Sequence, residues 1–223
     1  MRMLRRISRA VVATAFILAS GLVCRADLAI TEGASDYRVF QRCENDAVTI
    51  RVAGTSSEEG IIEARVQKAP RKSRLSRWKR VGKARNGCWE AEIANLPVGG
   101  PYTLQFRLKQ RRSEVVSVKG ILVGDLWILA GQSNMQGVGD LVDVEKPSRL
   151  VHSYEYAERW VVAKEPLHHL LESIDPVHWR GHDNDEERKQ AAQEWRAKTT
   201  KGAGLGLPFA KEMVRRTGVP IGL

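Results

Sequence analysis

A serine follows an apolar run near the centre of the chain, in the stretch GDLWILAGQSNMQGVG, residues 124–139. Apolar residues fill most positions from Ile121 to Ala130, which predicts a strand covered on both faces. Ligands of open α/β sheets bind at the carboxyl ends of the strands, and Ser133 would lie at such an end. A serine hydroxyl needs a base and oxyanion donors before it acts as a nucleophile. The stretch therefore predicts either a nucleophilic serine for acyl transfer or an ordinary turn.

The residues around the serine narrow these two choices. The nucleophile elbow G-x-S-x-G is not matched, because Met135 occupies the position of the second glycine. GDLWILAGQSNMQG, residues 124–137, instead resembles the first block of the SGNH-type esterases, in the sialate O-acetylesterase-like and acetylxylan-esterase-like branch. GAGLGLPFA, residues 202–210, is similar to the second, glycine-bearing block of that family. LPVGGPYTL, residues 96–104, is similar to part of the domain that precedes the esterase in sialate O-acetylesterases.

This resemblance implies a carbohydrate O-acetylesterase that needs no metal and no other cofactor. Ser133 would attack an acetyl ester, and water would hydrolyse the acetyl-enzyme. The oxyanion hole would contain the N–H of Ser133 and that of a second-block glycine, Gly204 first and Gly202 next. Glycines suit that role because the backbone must approach the substrate closely. The implied partner is an O-acetylated carbohydrate. The expected substrate-binding residues are Gln132, Asn134 and His178.

The family's remaining catalytic blocks are not found before Leu223. The family takes its base from an Asp-x-x-His near the carboxyl end and a third oxyanion donor from a Gln or Asn block. Loss of the base from a triad costs several powers of ten in rate. We therefore expect the chain to be truncated within its catalytic domain and nearly inactive. The histidines that could replace the base are His152, His168, His169, His178 and His182.

The spacing of two of these histidines is also compatible with a metal-binding site. His178 and His182 stand four residues apart, and Asp183 and a second aspartate follow. Such a pair shares one face only on a helix, and the Trp-Arg-Gly between them is poor helix sequence. No metal site is therefore expected. Residues 165–178 are predicted instead to form a loop that faces the substrate.

The elements that must position Ser133 change character near residue 120. Residues 27–119 contain short runs of alternating apolar and polar residues, which predict half-buried strands and a small all-β sandwich domain. The resemblance implies that residues 120–223 are the amino-terminal part of an SGNH esterase domain. The expected fold class is α/β, a flavodoxin-like three-layer SGNH hydrolase sheet that is incomplete, preceded by the sandwich.

Helices are predicted at two places in the second domain. A long polar region from 140 to 200 contains a short helix near 186–196. Residues 207–217 form a helix that Pro208 favours in its first turn and Gly218 ends. A further strand opens at Val219. Two parallel strands and one helix do not enclose a core, which supports the expectation that the sheet is incomplete.

The first 26 residues have the features of an export signal. Arginines precede an apolar run from Ala10 to Val23, and Cys24-Arg-Ala has the shape of a cleavage site. Lipidation of Cys24 is the minor alternative. The run is short for a membrane span, so the protein is expected to be periplasmic or extracellular without a stable membrane anchor. The segment carries five Arg and no acid, so its removal lowers the net charge from +10 to +5.

The remaining positive charge is concentrated in residues 65–85, which contain ten Lys or Arg and no acid. The composition allows a nucleic-acid or anionic-glycan patch. For an exported protein a solvated loop or hairpin face is favoured, and no nucleic-acid partner is expected. Cys43 and Cys88 permit one disulfide that the sequence does not establish. The oligomeric state is open.

Three functions follow from these patterns. The first is an exported carbohydrate O-acetylesterase with Ser133 as its nucleophile. The second is a catalytically inactive exported protein that keeps the crevice and binds acetylated glycan. The third is a basic surface-binding module, for which charge reversal at Arg71, Lys72 and Arg74 would abolish binding.

Overall fold

The computed structural model describes residues 28–68, 77–179, 181–182 and 184–223. Three predictions fall outside the described residues: the export signal at 1–26, the charge-reversal set Arg71, Lys72 and Arg74, and a metal role for Asp183. No helix in the described ranges is long and apolar enough to cross a membrane.

The first part of the described chain is built from strands. These are β1 (Leu28–Glu32), β2 (Val39–Gln41), β3 (Ala47–Ser56), β4 (Gly60–Lys68), β5 (Lys79–Arg85), β6 (Cys88–Pro97), β7 (Gly99–Leu108) and β8 (Val116–Leu126). The alternation of apolar and polar residues explains these strands. In β7, every second residue from Tyr102 to Leu108 is buried, as the two-residue period of a strand requires. Trp89 on β6 is buried against Phe106, and its indole N–H donates to the carbonyl oxygens of Ala29 and Thr55.

These strands form one continuous ladder in the order β1-β3-β6-β5-β4-β7-β8, and β2 pairs with β8 in parallel. Their inner faces share one core, to which Ile50, Trp89, Leu104 and Ile121 belong. The outer face is polar. There the ring of Trp78 lies 4.6 Å from the guanidinium carbon of one arginine and 4.0 Å from that of another, Arg65 and Arg107. Part of the basic segment is thus held against the sheet by cation–π contacts.

The second part carries the remaining elements. Its strands are β9 (Gly139–Asp140), β10 (Val151–Tyr154), β11 (Trp160–Val162), β12 (Lys201–Ala203) and β13 (Ile221–Gly222). Its helices are α1 (Ser133–Gln136), α2 (Asp185–Lys198) and α3 (Gly206–Thr217), with 3-10 turns at Leu170–Glu172 and Pro176–His178. A second core contains Val151, Leu167, Leu207, Ala210 and Ile221.

Strand β8 joins the two parts. It pairs antiparallel with β7 and, at its carboxyl end, parallel with β13, where Asp125 is opposite Ile221. β13 then pairs parallel with β10, and β10 antiparallel with β11. Within the described ranges the result is an 11-stranded mixed sheet. A separate two-stranded ladder contains β9 and β12.

The predicted fold class is wrong. The described chain is mostly β with one large mixed sheet, and it is not a flavodoxin-like three-layer α/β SGNH sheet behind a separate sandwich. The apolar run from Ile121 to Ala130 indicated a central parallel strand, but β8 begins at Val116 and ends at Leu126. An apolar run looks the same whether its neighbours are parallel or antiparallel, and β8 has both kinds. The predicted boundary between residues 119 and 120 falls inside this strand.

The helix predictions are confirmed. α3 covers residues 206–217, and Gly218 ends it with φ 71° and its N–H bound to the carbonyl of Val214. α2 is longer than the helix predicted at 186–196 and begins after Asn184, whose side chain accepts the N–H of Glu186 at 2.8 Å. The two cysteines in the described ranges, Cys43 and Cys88, are exposed and not disulfide-bonded.

Candidate active site

Ser133 is exposed at the start of α1, after a coil from Trp127 to Gln132. The carbonyl of Gln132 accepts the N–H groups of Met135 and Gln136, both at 2.9 Å, and so closes the single turn. The first N–H groups of a helix have no partner inside it. The N–H of Ser133 forms no hydrogen bond with the described part of the chain. Its hydroxyl and N–H are therefore both available to a ligand.

The second glycine-bearing segment packs directly on this turn. Leu205 donates its N–H to the carbonyl of Asn134 at 3.3 Å. Gly137 has φ 90°, and a Cβ there would lie 2.4 Å from the carbonyl oxygen of Gly202. Only glycine permits this approach of two backbones. The pairing of β9 with β12 continues the contact, so the two blocks form one unit.

Both predicted oxyanion glycines lie in this unit. A Cβ on Gly204 would be 3.3 Å from the carbonyl oxygen of Asn134, which places this glycine beside α1. The Gly204 N–H is directed to Oε1 of Glu165 at 3.4 Å. Gly202 packs on Pro166, since a Cβ there would meet the proline Cβ at 2.5 Å. Which of these N–H groups binds an oxyanion stays a prediction.

Glu165 is a buried acid near the site. Its residue is 7% exposed, and Oε2 is buried without a hydrogen-bond partner in the described chain. Burial raises the pKa of its carboxyl, and the N–H groups of Gly204 and Leu167 lower it by less. Burial thus disfavours the charged form of this carboxyl.

A cavity of about 510 Å³ opens beside α1. Its size is typical of small-molecule sites. One wall comes from the coil and α1, and the other from the segment between β10 and the turn at Pro176–His178. The lining residues include Trp127, Gln132, Met135, Ser153, Tyr156, His168 and His178. Of the predicted substrate-binding residues, Gln132 and His178 are in this lining. Asn134 is exposed and meets the second block through its carbonyl.

Three rings stand together at the cavity. Tyr156 lies between His168, with ring centroids 5.1 Å apart, and His178, stacked at 6.4 Å. A ring nitrogen of His168, Nε2, is 3.4 Å from the carbonyl oxygen of Met135. Burial lowers the pKa of His168, which keeps its imidazole neutral near neutral pH. Sequence reasoning placed residues 165–178 on a substrate-facing loop but missed Tyr156, which precedes that loop.

The other candidate bases make contacts within the fold. His152 is buried, and its Nδ1 is 2.7 Å from the carbonyl oxygen of Tyr37. His169 stacks on Trp195 with centroids 3.8 Å apart. The backbone N–H of His182 donates to a carbonyl in the preceding turn. Across the described ranges, no group of three or more His, Cys, Asp or Glu could hold a metal ion.

Arg196 on α2 secures the loop beneath the cavity. Its guanidinium donates to both carboxylate oxygens of Glu172, at 2.7 and 2.6 Å. The same group reaches Glu155 and the carbonyl of Pro166, each at 3.4 Å. The peptide between Pro166 and Leu167 is therefore tied to α2.

Comparison of the sequence with known protein families finds a match. Residues 123–223 match the family model described as carbohydrate esterase, sialic acid-specific acetylesterase. The match begins inside β8 and contains both blocks and the cavity loop. It confirms the resemblance inferred from the sequence. No curated protein matches the chain at a significant level.

Proposed function

We propose that the protein is an exported, serine-dependent carbohydrate O-acetylesterase, because residues 123–223 match the model of the sialic acid-specific acetylesterase family of carbohydrate esterases. The observation that supports this most is the placement of Ser133, exposed at the start of α1 between the cavity-lining residues Gln132 and Met135. Its oxygen attacks the acetyl carbonyl, and the ester bond to the sugar breaks. The departing sugar oxygen takes up the proton that the serine hydroxyl loses and becomes a hydroxyl. Water then cleaves the acetyl-serine to release acetate.

The oxyanion that forms in each step needs backbone donors. The N–H of Ser133 is one, and the second block supplies another, with Gly204 first and Gly202 next. The distance of 3.4 Å from Gly204 N to Glu165 is long for a hydrogen bond, so this N–H can be shared with an oxyanion. Loss of one such donor typically costs about 2.7–4 kcal/mol of transition-state stabilisation.

The cavity supports an acetylated sugar as substrate. Tyr156 and His178 present ring faces, which suit the apolar face of a pyranose. Gln132 supplies an amide for hydroxyl groups, and the neutral imidazole of His168 is both a donor and an acceptor. These groups are the few polar contacts that orient a ligand in a mostly apolar site.

The experiment is fluorophosphonate labelling combined with acetate release from O-acetylated sialic acid and acetylated xylan. Ser133→Ala should lose the label together with the acetate release of the wild-type chain. Ser148→Ala is the matched control, because its hydroxyl accepts only the N–H of Leu150 away from the cavity. Labelling that persists in Ser133→Ala would contradict the proposal.

A catalytically inactive glycan-binding protein is the second candidate. The contact of the Gly204 N–H with Glu165 favours it, because an oxyanion would have to compete with a carboxyl oxygen for that donor. This candidate predicts no labelling of the wild-type protein and glycan binding that survives Ser133→Ala. Calorimetry with the same acetylated sugars distinguishes the two functions.

A further inference from the structure

We propose that Glu165 is a positioning residue for the esterase site, whose carboxyl fixes Gly204 and so holds the second block against the turn that carries Ser133. This inference rests on the proposed function. Glu165 does not touch the reacting atoms. It acts through one backbone N–H, 39 residues further along the chain.

The contacts form a short chain from the carboxyl to the serine turn. Glu165 Oε1 accepts the N–H of Gly204, and the next residue, Leu205, donates to the carbonyl of Asn134. Asn134 follows Ser133 directly. A Cβ on Gly204 would lie 3.2 Å from the Cα of Gly137, so the two backbones are already in contact. A shift of Gly204 would therefore shift α1.

The backbone next to the carboxyl of Glu165 is also held in place. The carbonyl of Pro166, which follows Glu165, accepts a hydrogen bond from Arg196 on α2. The ring of Pro166 packs on Gly202 in the second block. The loop thus holds the glycine segment through a polar contact at Gly204 and an apolar contact at Gly202.

A purely space-filling role does not account for an acid at this position. Burial of a polar group that lacks a partner costs free energy, and Oε2 of Glu165 is in that state. An apolar side chain of similar size would avoid this cost but would leave the Gly204 N–H without an acceptor. Glutamine keeps an acceptor oxygen on a side chain of the same length, so Glu165→Gln retains the contact with the Gly204 N–H.

Two substitutions test whether the side chain of Glu165 positions the site. Glu165→Ala removes the acceptor, and we expect kcat to fall by about 10²-fold with little change in KM, since misplacement of about 1 Å costs that much. Glu165→Gln should restore most of the rate. Glu114→Ala is the matched control, because Glu114 also has a buried Oε2 without a partner in the described chain but lies between β7 and β8. Kinetics are measured on the full-length protein, below the unfolding temperature of each variant.

The rate of Ser133 phosphonylation and the hydrogen exchange of the Gly204 amide complete the test. Glu165→Ala should slow the first and accelerate the second, and Glu165→Gln should reverse both effects. The inference is overturned if Glu165→Ala labels at the wild-type rate, or if Glu165→Gln is as slow as Glu165→Ala. Absence of labelling in the wild type would refute the proposed function instead, and with it the catalytic role of Glu165. The exchange of Gly204 would then report the contact alone.

Discussion

Arg196 offers the sharpest test of how the loop beneath the cavity is held. Its side chain is 30% exposed, whereas the side chains of its two acidic partners, Glu172 and Glu155, are 16% and 9% exposed. Arg196→Met keeps the apolar stem and has a similar helix propensity, but it removes every polar contact of the guanidinium. Two poorly solvated carboxylates would then lack their shared partner.

The expected loss of stability follows from this partial burial. Breaking a fully buried ion pair costs about 3–5 kcal/mol, and an exposed pair is worth about 0–1 kcal/mol. Arg196 lies between these limits, so we expect about 2–3 kcal/mol. For a chain of this length, that corresponds to a fall in Tm of roughly 5–10 °C.

Urea denaturation followed by tryptophan fluorescence measures this loss, because Trp195 precedes Arg196 in the same helix. Lys198→Met is the control on α2. Lys198 pairs with Glu194 at 3.5 Å, and both side chains are more than half exposed. This control should cost less than about 0.5 kcal/mol.

The pH dependence gives a second check on the same pair. Burial alone would raise the pKa of Glu172, but the hydrogen bond and charge of Arg196 outweigh it, and the net pKa is lowered. An acid with a lowered folded-state pKa adds stability above its ordinary pKa and loses it as pH falls through the folded-state value. The difference between wild type and Arg196→Met should therefore shrink in acid. A difference no larger than that of Lys198→Met near neutral pH would refute the reasoning.

Two further predictions concern the serine turn and the cavity. Gly137→Ala should destabilise the protein by about 1–3 kcal/mol more than Gly87→Ala, because a Cβ at 137 meets the carbonyl of Gly202 whereas one at 87 has nothing within 4 Å. Both glycines have positive φ, so equal losses in urea denaturation would contradict the contact. For His168, burial lowers the pKa, so its contribution to stability is present above the ordinary pKa and fades as pH falls. Stability of His168→Gln should therefore decline less than that of wild type in mild acid, and parallel pH curves would disprove this.

Features that depend only on neighbouring residues could be predicted from the sequence. The stop at Gly218 and the apolar stripe of α3 are local, and α3 lies where they indicate. The serine block was recognised for the same reason, because the order of neighbouring residues resembles the family whose model matches residues 123–223.

The partners of each segment were decided only by the tertiary structure. The apolar run at Ile121 predicted a strand, but nothing in it specified that β8 pairs antiparallel with β7 on one side and parallel with β13 on the other. The contact between Glu165 and Gly204, and the position of Tyr156 between two histidines, likewise join residues far apart in sequence. Local patterns record which face of a segment is apolar. Which distant surface covers that face depends on how the whole chain packs, and this is why the serine could be found before the fold that holds it.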